Sequence, residues 1–197
     1  MSRSVVFSRN FLLIASLAAL LLAAFGWEVL GSRSTATPAT AAVGVRITMS
    51  VTGHSGTVFK GDDFATARNA IGLINVLGYS SEIVSPRDAS SGLPTGKRVW
   101  KPVVVTHLMG GSTPEFLNAA ATNEDLKSVV ISFFHTNSRG QEVLYYRVTL
   151  TNANVSDVRD YTSGGDVLED DSFSFQKIEQ QDFIAKTTFI DEPNTIT

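Results

Sequence analysis

The chain has 197 residues, 43% of them apolar and 18% charged, with a formal net charge of −3. That is the length of one ordinary domain, too apolar for disorder to be the default and without the basic excess of a generic nucleic-acid binder. Cysteine is absent, which excludes disulfides, thiolate metal sites and cysteine nucleophiles.

Arg3 and Arg9 precede residues 11–25 (FLLIASLAALLLAAF), a run without charge. A positive start followed by such a run is the pattern of a secretory signal. Carried on to Leu30 it reaches about twenty residues, roughly enough to cross a hydrocarbon core. Residues 1–31 are therefore expected to be a signal peptide or a membrane anchor, both readings staying open, and to be the chain's one membrane contact. Residues 32–42 (SRSTATPATAA) are small, polar and broken by Pro38, and read as a linker. The folded domain is expected over residues 43–182.

Val43, Val45, Ile47, Met49 and Val51 alternate with Gly44, Arg46, Thr48, Ser50 and Thr52, the period of a strand with one wet face. Residues 65–70 suggest a brief helical turn, and residues 74–80 centre a second strand. Residues 85–97 are punctuated by Pro86, Gly92, Pro94 and Gly96 and predict a long loop. Residues 99–109 predict one strand, apolar on both faces: Trp100, Val104 and Leu108 on one, Val103, Val105 and Met109 on the other. Such a strand wants cover on both sides. A helix is expected over residues 114–121, with Thr113 as N-cap, Pro114 opening it and Phe116, Leu117 and Ala120 as its apolar stripe.

Residues 128–136 and 142–153 flank Asn137-Ser138-Arg139-Gly140 and predict a hairpin. The last strand carries Phe173 and Phe175, and Ile178 breaks their parity, which predicts a bulge there. Residues 183–197 read as a mobile tail or an added edge segment. The fold class is mainly β: a small barrel of two packed sheets with one short flanking helix.

Four strings in this order resemble the haemolysin-coregulated proteins (Hcp) of type VI secretion, over residues 43–182. They are Gly96-Lys97-Arg98-Val99-Trp100-Lys101-Pro102, Ser112-Thr113-Pro114-Glu115-Phe116-Leu117, Glu142-Val143-Leu144-Tyr145-Tyr146-Arg147 with the Leu150-Thr151-Asn152-Ala153 turn, and Asp171-Ser172-Phe173-Ser174-Phe175-Gln176-Lys177-Ile178. The resemblance implies a homohexameric ring that stacks into a hollow tube, with tip proteins and effectors as partners. Tyr79 and Ser80 would then lie near the lumen. Gly96, Arg98, Trp100, Val103, Val105, Tyr145 and Tyr146 would serve the ring interface or stacking. The leading segment departs from the familiar tube proteins and points to an exported, secreted or envelope-associated subunit. The alternative is an envelope-associated β-barrel that binds a protein or small ligand.

No catalytic, cofactor or metal site is expected. His54, His107 and His135 share no ligand spacing, so no protein-built zinc or iron centre is foreseen. His107 and His135 read as satisfied strand histidines. The acidic pairs Asp62-Asp63 and Glu169-Asp170-Asp171 read as solvated loop charge. No G-x-S-x-G elbow or phosphate-binding glycine loop is present.

Overall fold

The computed structural model describes residues 44–61 and 72–193. The segments expected as leader and linker, the helical turn at 65–70 and the Asp62-Asp63 pair lie outside the described residues. Among the described residues nine strands form: β1 (Val45–Thr52), β2 (Ile74–Ser80), β3 (Ile83–Val84), β4 (Val99–Trp100), β5 (Val103–Leu108), β6 (Asp125–Thr136), β7 (Glu142–Ser163), β8 (Asp166–Asp182) and β9 (Thr187–Asp191). One helix, α1 (Thr113–Thr122), lies between β5 and β6.

Six strands run in the order β5-β2-β1-β6-β7-β8, and β5 pairs back onto β8, closing an antiparallel barrel. Alternation along β1 sets its register: Ile47, Met49 and Val51 stand opposite Phe133, Ile131 and Val129 of β6. These cross-strand apolar pairs fill the interior. Met49, Ile74, Leu126, Ile131, Val148, Leu150 and Phe173 have no exposed area.

The hairpin of β6 and β7 forms about its Gly140 turn, where Asn137 Oδ1 accepts the N–H groups of Arg139 and Gln141. β7 then continues to Ser163 and returns through Gly164 and Gly165, both at positive φ (64° and 96°). That two-residue turn suits the strand twist, and glycine supplies it without a Cβ penalty.

The parity break at Ile178 is real, but its cause differs from the expected bulge. Register with β7 runs unbroken through Leu150↔Ile178 and Ala153↔Phe175. Both strands change inward parity at the same level, where Asn152 sits at φ 47°. The slip in this ladder falls instead between Val155 and Asp157 of β7.

Two other expectations are corrected. The strand read over 99–109 is two pieces, divided before Pro102, which has no N–H for a ladder. The N-cap position of helix α1 falls on Ser112, which makes no side-chain capping bond, rather than on Thr113, and the buried face is Thr113, Phe116 and Ala119, with Leu117 outward. Within residues 183–197, read as a mobile tail or an added edge segment, residues 187–191 form β9 on the edge of β8.

Candidate functional site

Between β2 and β5 the chain leaves the barrel as an arm. β3 pairs with β4 (Ile83↔Trp100, Val84↔Val99), and at its base Lys101 N–H donates to the Glu82 carbonyl at 2.9 Å. The tip is built on Asp88, whose carboxylate accepts the N–H and O–H groups of Ser90 and Ser91 at 2.7–3.1 Å. Those bonds, Ser90's first, hold its carboxyl well below the usual range. A segment that composition marks as loop is thus locally fixed. It leaves Ile83, Val84, Leu93 and Val99 exposed, Leu93 at 64%.

The arm's base is tied to the edge strand. Arg98 Nε donates to Asp191 Oδ2 at 2.6 Å, and its second nitrogen pairs with Oδ1. Trp100 Nε1–H donates to the same Oδ2 at 2.8 Å. Asp191 is buried, and its carboxyl is pushed down to about 2, chiefly by the Arg98 bond. The Trp100 ring meets Phe175 edge-on at 5.6 Å and Phe189 at 6.4 Å. Beside this tie lies an open groove of about 360 Å³ lined by Arg98, Trp100, Lys101, Ser174 and Phe175.

The residues singled out in the sequence fall into three groups. Gly96, Arg98 and Trp100 sit on the arm. Tyr79, Tyr145 and Tyr146, expected in separate lumen and interface roles, converge on Phe133 at centroid distances of 5.2, 6.4 and 5.8 Å. Tyr145 is the residue by which β7 slips against β6, and the Tyr146 hydroxyl donates to Gln180 Oε1 at 2.8 Å. Burial raises the Tyr79 hydroxyl, while Ser80 beside it is exposed. Val103 and Val105 form the third group and are a correction. Both are wholly buried in the barrel, because strand period two aims them inward with His107.

A polar cluster that sequence reasoning missed stands on the same inward face. Glu169 and Asp171, expected as loop charge, lie on β8 and are fully buried. β5 sets His107 directly opposite Glu169. His107 Nε2 is 2.8 Å from Asp171 Oδ2 and 3.6 Å from Glu169 Oε1, and Nδ1 is 2.7 Å from the Leu108 carbonyl. Burial pushes Glu169 up to about 7 and raises Asp171. For His107 burial acts downward, and the Asp171 bond and charge outweigh it, leaving a raised value. Phe116 of α1 covers the ring at 5.6 Å.

Residues 49–181, most of the barrel, match the family described as "Type VI secretion system effector, Hcp". The chain belongs to the Hcp family. A "Major exported protein" of Pseudomonas aeruginosa is 36% identical over 113 residues, covering 53% of this chain and 66% of that relative. Thus the matched stretch spans just under two thirds of its length. Among solved structures, an Hcp1 protein of E. coli EAEC 042 superposes with a TM-score of 0.69 at 24% identity, over 76% of this chain and 99% of that one. A secreted protein Hcp3 from Pseudomonas aeruginosa gives 0.64 at 25% identity, over 77% and 100%. Hcp proteins are structural, secreted tube proteins rather than enzymes, and this family carries the expectation of no catalysis. Among the described residues no helix is long and apolar enough to cross a membrane.

Proposed function

We propose that this Hcp chain is a structural subunit of a homohexameric ring, that the rings stack into a tube of the type VI secretion kind, and that effectors ride in its lumen behind tip proteins. The observation that carries this reading is the arm, which stands off the barrel with Leu93 and Val99 bare and its base tied to Asp191. A closed ring also needs two different surfaces on each copy. Among the described residues β9 pairs with β8 on one side only, and β7 beyond Asn154 pairs with β8 alone, so two one-sided segments stand at different places on the barrel. In this arrangement Gly96, Arg98 and Trp100 serve stacking, Tyr145 and Tyr146 lie near the ring contact, and Tyr79 and Ser80 lie near the lumen. Residues 1–31 act as signal peptide or anchor, and residues 32–42 join them to the barrel.

The test is negative-stain electron microscopy of the full chain, purified in mild detergent and concentrated, with light scattering for mass. Six-fold rings or stacked tubes are the expected result. A monomer at every concentration would overturn the assembly and favour an envelope-associated binding module.

A further inference from the structure

The largely apolar barrel interior holds two carboxylates and one imidazole. His107, Glu169 and Asp171 have no exposed area, and one ligand atom from each lies within 4.8 Å of the others. Burying charge without compensation is costly, so the cluster must be neutralised. Two arrangements give neutrality. In one, His107 is protonated and one carboxyl keeps its proton. In the other, His107 is neutral, both carboxylates are ionised and a divalent cation lies among them.

Hydrogen bonding separates the two. Among the described residues Glu169 Oε1, Glu169 Oε2 and Asp171 Oδ1 have no well-formed hydrogen bond, although the Thr113 side chain stands within reach of Glu169. A protonated Glu169 could give its O–H to Asp171, yet its other oxygen would stay buried without a donor, an arrangement that proteins avoid. A cation takes those lone pairs directly and needs no further acceptor. The imidazole is also oriented for ligation. With its proton on Nδ1 donated to the Leu108 carbonyl at 2.7 Å, Nε2 presents its lone pair to both carboxylates. Such a carbonyl partner is the usual outer support of a ligating histidine.

We infer that His107, Glu169 and Asp171 form a structural binding site for a divalent first-row metal ion, with zinc the favoured occupant. One imidazole and two carboxylates make a borderline donor set that suits it. Ligand atoms around a tetrahedral zinc stand about 3.3 Å apart. The 3.6 Å between Nε2 and Glu169 Oε1 is close to that spacing. Asp171 would either turn to offer Oδ1 or open its 2.8 Å contact by about half an ångström. The helix seals the site, since Phe116 lies over His107 and its ring is 6.0 Å from that of Phe173. The ion would enter as the barrel folds, and it would lock β5 to β8 at the seam that closes the sheet.

The experiment is metal analysis of the full chain in mild detergent after exhaustive dialysis in metal-free buffer, followed by melting curves with chelator, with added zinc and with cobalt as a spectroscopic probe. About one equivalent of zinc is expected, with a lower Tm after stripping, recovery on adding zinc, and cobalt ligand-field bands. Glu169→Gln keeps the shape of the side chain and should cut the bound metal at least tenfold. Asp170→Asn, altering the neighbour on the outward face, should leave it unchanged. Less than a tenth of an equivalent, no change in Tm with zinc or chelator, and a Glu169→Gln protein as stable as the parent would overturn the site and assign its neutrality to protons. Ring formation is read separately by microscopy, so either result leaves the assembly question where it stands.

Discussion

The indole N–H of Trp100 donates to Asp191 Oδ2 at 2.8 Å, joining positions 91 residues apart in the chain. Arg98 meets the same carboxylate, so one buried acid holds both the base of the arm and the edge strand. Removing one donor at a time should show how the load divides. Trp100→Phe, which keeps the ring, should cost about 1–2 kcal/mol. Arg98→Ala should destabilise less than the Trp100 change, because the guanidinium is half exposed and solvent screens its charge. Since they share Oδ2, the double variant should depart from additivity by about 0.5 kcal/mol or more in urea unfolding.

Acid should release β9 before it unfolds the barrel. The Asp191 carboxyl titrates lower folded than unfolded, so its contribution is whole above about 4 and disappears as pH falls through about 2. Limited pepsin digestion should leave the bonds around Phe189 protected at pH 4 and cut them at pH 2. Equal cutting at both values would separate β9 from the state of Asp191.

Phe116 joins the helix to the barrel, touching Phe59 at 5.2 Å, His107 at 5.6 Å and Phe173 at 6.0 Å with no exposed area. Phe116→Ala should lower stability by about 3–5 kcal/mol in denaturant titration. Leu117→Ala, on the outer face of the same helix, should change it by about 0.5 kcal/mol or less.

Asn152 adopts φ 47° where β7 and β8 change parity. A β-branched residue is poorly tolerated there, and Asn152→Val should cost about 1–2 kcal/mol. Asn152→Gly should fall within a few tenths of the parent, because glycine accepts this conformation freely.

Leu93 is 64% exposed at the tip of the arm. If the arm joins stacked rings, Leu93→Asp should shorten the stacks seen by microscopy while single rings keep their mass.

Local pattern made much of this architecture legible. The alternation of Ile47, Met49 and Val51, the β6–β7 hairpin and its Gly140 turn all depend on neighbours in sequence, and all formed. The inward aim of Val103 and Val105 was also available, because they share period two with His107. What sequence could not carry was strand pairing across long separations. Glu169 and Asp171 look like solvated charge until β5 is laid beside β8 and His107 arrives between them. Likewise Asp191 gains its role only when a strand far along the chain meets Arg98. Of the expected helix stripe Phe116 is buried and Ala120 partly so, while Leu117 turns outward and Ala119 is fully buried in its place.

The shared parity change on β7 and β8 restricts how this hairpin can vary over descent. Val148 and Leu150 face inward before it and Ala153 and Val155 after it, matched by Ile178 and then Phe175 and Phe173 across the ladder. A single residue lost from either strand would turn the side chains beyond it to the wrong face. Matched gains, one residue on each strand next to Gly164 and Gly165, would only carry the hairpin further from the barrel. Length differences among descendants of this sequence should therefore come in pairs and collect at that turn.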